Sequence, residues 1–160
     1  MKTAVNLRSF FTVVLFLSAA CASLMALDDA FLGTWKLSLE KSKYQSPAPI
    51  SYTYKYETGD NGTLKVTVAS VDANGSPNTH QRVETYDGKP RPVVNDPGAE
   101  AVSVKRVDDH TIQGINWKKG KPVTSFTRTL SQDGKTMTVT VDGTTAQGKH
   151  YHDVRVFEKE

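Results

Sequence analysis

The sequence predicts an all-β fold: an antiparallel up-and-down meander of about 8–10 strands closed into a barrel. Three observations carry this reading. No stretch beyond residue 26 repeats apolar residues at helical spacing for long enough to make a helix. Runs rich in Thr, Val and Tyr alternate polar and apolar residues instead. Between them stand turn formers such as Asn61-Gly62, Asn74-Gly75, Asp87-Gly88 and Asp133-Gly134, which supply the positive φ angles of tight hairpins.

The chain opens differently. Lys2 and Arg8 precede an uncharged apolar run from Phe10 to Ala20, and small residues follow. This is the layout of a secretory signal peptide over residues 1–26, with cleavage after Ala22 or Ala26. The run is too short to span a bilayer comfortably, so no transmembrane segment is expected after cleavage. The protein is therefore expected to be periplasmic or secreted. Cys21 is the only cysteine, and Ser18-Ala19-Ala20-Cys21 resembles a lipoprotein box with Ser where Leu is usual. A lipid anchor at Cys21 is the alternative to its loss with the signal. If Cys21 is lost, no disulfide can form and the fold depends on its core.

Residues 27–160 make one domain. They carry 18 basic against 17 acidic residues, scattered rather than clustered. Such a balance excludes a nucleic-acid surface, which needs a concentrated basic face. The densest basic cluster, Lys118-Lys119-Gly120-Lys121, reads as a solvated hairpin tip.

The strand-like runs fall near 31–38, 50–58, 63–71, 78–86, 101–107, 111–118, 122–131, 136–142 and 151–158, with a short one at 89–94. Two stretches break the rhythm. Lys41 to Pro49 reads as an extended connection, and Pro90 to Glu100 as the largest irregular loop. Joining successive strands and closing the ring removes exposed edges.

Period-two alternation then assigns faces. Met137, Val139 and Val141 share one face, and Phe126, Arg128 and Leu130 share another. Arg128 is thus expected inside the barrel. A buried guanidinium costs several kcal/mol unless paired or solvated. Its partner is expected to be a buried carboxylate, a water cluster or a ligand anion. In the last strand the two registers conflict. One places Arg155 and Phe157 inside and the valines Val154 and Val156 outside; the other exposes Arg155.

Two segments carry a family resemblance. Phe31-Leu32-Gly33-Thr34-Trp35-Lys36-Leu37 resembles the Gly-x-Trp opening strand of the lipocalin and fatty-acid-binding-protein group of calycin barrels. Thr127-Arg128-Thr129-Leu130 with Asp133-Gly134-Lys135 and Met137-Thr138-Val139-Thr140, followed by Val154–Glu160, resembles that group's closing strands. The resemblance implies a bacterial secreted lipocalin-like protein with Trp35 on the barrel floor. It implies that Arg128 and Arg155 reach a ligand carboxylate. It also offers a third position for Arg155, packed over Trp35. The family's tyrosine two residues after the second arginine is replaced by Phe157, so that hydroxyl is missing. Residues 42–49 are too short for the family's helical lid, so the barrel is expected to lack one.

Function follows as an expectation: binding of a small apolar or amphipathic ligand, with Trp35, Phe126, Arg128, Met137, Arg155 and Phe157 at the site. The alternative is a side-chain-filled barrel serving as an envelope structural or interaction module, with the Pro90–Glu100 loop as partner surface. Catalysis is not expected. No nucleophile motif or phosphate-cradling loop is present, and no cofactor is implied. His150 and His152 could share a strand face, but no clear third ligand accompanies them, so no metal site is expected. A metal-dependent enzyme built on those two histidines is the remaining alternative. The sequence leaves oligomeric state open.

Overall fold

The computed structural model describes residues 29–145 and 147–160. The segment read as a signal peptide, with Cys21, lies outside the described residues. Within them, ten strands follow one another around a closed barrel: β1 (Gly33–Lys43), β2 (Ser51–Thr58), β3 (Leu64–Val71), β4 (Pro77–Glu84), β5 (Arg91–Val94), β6 (Ala101–Arg106), β7 (Thr111–Lys118), β8 (Lys121–Leu130), β9 (Thr136–Thr144) and β10 (His150–Lys159). Sequence neighbours pair antiparallel, and β10 closes the ring on β1 through pairs such as Leu37 with Phe157. No helix among the described residues is long and apolar enough to cross a membrane.

Three boundaries differ from expectation. Phe31 and Leu32 precede β1, because Leu32 N–H closes a turn onto the Asp29 carbonyl at 2.9 Å. At its other end β1 continues to Lys43, across an irregularity where Ser42 takes over a ladder position. The Ser42 hydroxyl donates to Ser38 O at 2.6 Å and accepts from Val156 N–H at 2.9 Å. The Pro90–Glu100 stretch is not one irregular loop, since its first half forms β5. Pro92 is tolerated there because β5 pairs through only two residues with each neighbour.

The expected faces of β8 and β9 are the observed ones. Phe126, Arg128, Leu130, Met137, Val139 and Val141 all point inward and are buried. In β10 the inward register wins. Asp153 and Phe157 are fully buried, and Arg155 sits in the same row opposite Val139. Val154 and Val156 therefore lie on the outer side, half-buried.

One end of the barrel is sealed by aromatics. Trp35 is fully buried, and its indole N–H donates to Phe31 O at 2.8 Å, which ties the plug to the segment that leads into β1. Phe31 packs on Tyr56 with ring centroids 6.2 Å apart. Asp29 accepts from Phe31 N–H at 2.9 Å and also pairs with Arg106, whose guanidinium lies 4.0 Å over the Tyr86 ring. The cation against Trp35 is Lys159, with its ammonium 5.1 Å from the ring centroid, so Arg155 does not cover the tryptophan. Gly33 makes this possible: its φ of +118° suits glycine, and a Cβ there would lie 2.9 Å from the Lys159 side chain.

Gly114 of β7 serves packing rather than backbone conformation. The Phe126 ring packs directly over it, and a Cβ would meet the ring at 2.1 Å. Substituting Gly114→Ala should push that ring off its seat and lower stability by about 1–3 kcal/mol, as overpacking does. Urea denaturation of the folded barrel measures this; an unchanged midpoint would contradict the packing described.

Candidate functional site

Strand β4 runs against the ordinary hydrophobic rule. Val83 is 45% exposed, whereas His80, Arg82 and Glu84 are 6%, 7% and 2% exposed. The alternation is intact, but the polar row faces inward. Glu84 lies centrally and meets Arg128 across the barrel, with Arg128 Nη1 donating to its two oxygens at 3.0 and 2.9 Å. Arg82 Nε donates to the same carboxylate at 2.7 Å. Burial pushes the Glu84 carboxyl up, but Arg128 first and Arg82 second outweigh it and hold the group below the usual carboxylate range. The expected partner of Arg128 is thus a buried carboxylate. Phe126 supports the guanidinium from one side at 4.3 Å and Tyr54 from another at 5.2 Å.

Nearer the open end, Arg155 donates from Nη2 to Asp153 at 3.0 Å and lies 5.5 Å from the Tyr44 ring. Asp153 also accepts from Gln45 N–H at 2.9 Å, Ser46 N–H at 3.0 Å and the Ser46 hydroxyl at 2.6 Å. One buried carboxylate therefore orients Arg155 and pins the 44–49 connection across the rim. Burial raises the Asp153 carboxyl, and the hydrogen bonds from Ser46 and Gln45 reverse that and lower it. This strap occupies the place of the missing helical lid.

Between the two arginine layers lies a small chamber of about 60 Å³, lined by Tyr52, Tyr54, Arg82, Asp96, Asn116, Phe126, Arg128 and Arg155. Tyr52 and Arg155 also border a vestibule of about 300 Å³ under Pro47 and Pro49, facing Ser70 and Asn74. The chamber and vestibule therefore share a wall. Three guanidiniums reach the chamber, while two fully buried carboxylates, Glu84 and Asp153, pair with them. The Nε groups of Arg128 and Arg155 are buried without a hydrogen-bond partner. Tyr54 reports the resulting field. Burial raises its phenol, yet Arg128, Arg82, a hydrogen bond with Tyr52 and Arg155, in that order, bring it below its ordinary value, unlike Tyr52 and Tyr56 on the same strand.

Of the six residues expected at a site, three line the chamber: Phe126, Arg128 and Arg155. Phe157 stands directly behind it, packed on Tyr54 at 5.1 Å and Tyr52 at 5.8 Å. Trp35 and Met137 are fully buried but are not among the chamber's lining residues. Sequence reasoning missed Arg82, Glu84, Asp96 and Asn116. The signal for the first two was present: His80, Arg82 and Glu84 are spaced two apart, so any register that buries one buries all three.

The largest depression lies elsewhere, on the outer face of β6–β9. It measures about 440 Å³ and has Lys105 and Asp142 as its only charged lining residues. His152 bonds Asp142 there at 2.7 Å, and His150 reaches Thr144 at 3.2 Å. Among the described residues no group of three or more His, Cys, Asp or Glu side chains is placed to hold a metal ion.

Replacing Glu84 by Gln leaves two buried guanidiniums without a counter-charge and should cost about 3–5 kcal/mol of stability at neutral pH. Because the folded Glu84 carboxyl is depressed below its ordinary 4.5, its contribution is present above that value and lost as pH falls through the lower folded one. Denaturation at a series of pH values should show this acid limb in the wild type, and Glu84→Gln should show a smaller one, carried by the other depressed carboxylates such as Asp153.

No protein-family model matches the chain, and no curated protein matches it. Among solved structures, the fluorescent protein UnaG is similar at 17% identity, a TM-score of 0.52, and coverage of 81% of this chain and 97% of that one. A point mutant of UnaG gives 16% identity, a TM-score of 0.53 and coverage of 82% and 96%. A zebrafish ileal bile acid-binding protein complexed with cholic acid aligns at 14% identity and a TM-score of 0.47, over 82% of this chain and 99% of that one. The similarity to UnaG extends over the barrel, and this chain shares its fold, a closed ten-stranded antiparallel meander.

Proposed function

We propose that this protein is an exported, lipocalin-like barrel, periplasmic or secreted, that binds a small amphipathic anion through its open end. The head group enters the chamber and the body lies in the vestibule. One observation carries the reading: Arg82, Arg128 and Arg155 all line one small chamber. An entering oxyanion would accept charge-assisted hydrogen bonds from the guanidiniums that line this space.

Size narrows the ligand. A water molecule takes up about 30 Å³ of liquid, so a chamber of about 60 Å³ accepts a carboxylate-sized head and little more. The vestibule adds about 300 Å³, near the lower end of ordinary ligand sites, which start at about 300 Å³. A short amphiphile fits this shape better than a long-chain fatty acid folded wholly inside. Arg155 is the contact residue at the neck, and Arg128 acts from below, where Glu84 already holds it. Tyr52 and Asn116 offer further polar contacts in place of the hydroxyl that Phe157 lacks. Nothing in this arrangement requires a catalytic step, and we read the protein as a binder.

A second reading has its own support. Glu84 and Asp153 already satisfy one face of each arginine they contact, and the chamber is small. A barrel filled in this way could serve the envelope as a structural or interaction module. Calorimetry with octanoate and octanol separates the two. Anion binding predicts that octanoate binds, that octanol of the same length does not, and that Arg155→Met weakens octanoate about tenfold to hundredfold, the value of one charged hydrogen bond. The filled-barrel reading predicts that neither compound binds. Equal affinity for both would overturn the anionic reading while keeping an apolar site. Mass spectrometry of the natively purified protein would identify a resident ligand, and the mature N-terminus would show whether Cys21 is removed or lipidated.

A further inference from the structure

His80 stands behind the chamber wall, between a guanidinium and a carboxylate, with its protonation state set by its neighbours. Asn78 Nδ2 donates to Asn95 O at 3.0 Å, which turns the Asn78 amide oxygen toward the imidazole. That oxygen can only accept, so the ring nitrogen facing it at 3.0 Å, Nδ1, carries the hydrogen. Nε2 is then a bare lone pair. Arg82 Nη1 lies 3.4 Å from it and can only donate. Asp96 Oδ2 lies 3.5 Å from the same nitrogen, on a side chain that is 19% exposed against 5% for His80. In the neutral ring the hydrogen therefore sits on Nδ1, and Nε2 accepts from Arg82.

Adding a proton changes the geometry that can be satisfied. An Nε2–H cannot face the Arg82 donor; it can donate only to Asp96. Arg82 stays anchored through Nε to Glu84 at 2.7 Å, but its Nη1 loses its acceptor. Arg82 lines the chamber, so the released donor becomes available there just as the region gains a positive charge. No other charged group intervenes from the neighbouring strand, since β3 places Val68 opposite His80. Glu84, Arg128 and Tyr54 form the next layer and are common to both states.

We propose that His80 couples anion binding in the chamber to proton uptake, so that the barrel takes up a small carboxylate and a proton together and releases them together. This rests on the anion-binding reading above. Burial first, and Arg82 after it, lower the His80 imidazole below its ordinary 6.5 despite Asp96, which keeps the empty chamber unprotonated at neutral pH. An anion beside Arg82 favours the charged form. By reciprocity, a proton on His80 must strengthen the anion to the same degree.

The chain has four histidines, and the other three, His110, His150 and His152, lie outside the barrel interior, so one NMR titration contains its own controls. The imidazole resonances of the wild-type protein would be followed with pH in the absence and presence of saturating octanoate. Coupling predicts that octanoate makes His80 titrate about one pH unit higher and leaves the other three unmoved. It also predicts that octanoate affinity rises about fivefold between about pH 7.5 and 5.5, where the free carboxylate stays mostly ionised. His80→Gln should bind octanoate without that rise. An unchanged His80 titration at saturation, or the same pH slope in His80→Gln, overturns the coupling while leaving the anion site standing. Absence of octanoate binding by the wild type at every pH overturns the anion site and the coupling with it. Should His80→Gln not fold, the wild-type titration alone decides.

Discussion

A single carboxylate at the centre of the barrel, Glu84, is shared by two guanidiniums that water scarcely reaches, which leaves the trio one positive charge. Arg82 comes from the same strand and Arg128 from across the barrel, so the three groups tie β4 to β8 through the interior. An isolated buried charge would cost several kcal/mol, a large share of the about 5–15 kcal/mol that is the whole stability of such a domain. The polar layer therefore exists only as a set. Below it the barrel is sealed by Trp35, Phe31 and Tyr56; above it the arginines define the chamber. Without the layer the interior would be that of a conventional apolar barrel.

The open end follows the same logic on a smaller scale. In place of a helical lid, this chain has a short strap with two prolines, and the strap is held by the carboxylate that orients Arg155. Closure of the rim and presentation of the cation are thus linked through Asp153. A ligand that draws Arg155 inward competes with Asp153 for the guanidinium, and the strap is attached to the other side of that carboxylate. The strap and the Arg155 guanidinium meet at one carboxylate.

Much of the fold was legible because strand alternation and hairpin residues are local signals. The pairs at 61–62, 74–75 and 133–134 marked turns, and the inward rows of β8 and β9 followed from period two alone. The burial of Arg128 was legible for the same reason. The site was only partly so. β4 buries His80, Arg82 and Glu84 while exposing Val83, which inverts the usual sign of hydrophobic patterning; periodicity shows that the row exists but not which side it faces. The choice depends on a partner from β8, more than forty residues away, and no local rule contains it. Arg155 was ambiguous because both faces of β10 carry apolar residues. Asp153, buried with Phe157, settles that register through hydrogen bonds to a segment more than a hundred residues earlier.

The central claim is that Glu84 and Arg128 stabilise each other inside the barrel rather than merely lying close. A double-mutant cycle of Glu84→Gln and Arg128→Met, read by urea denaturation at neutral pH, tests it most directly. A coupling energy of about 2–3 kcal/mol, with the double variant more stable than the sum of the single losses implies, is the result this account predicts. Additive losses with coupling near zero would contradict it.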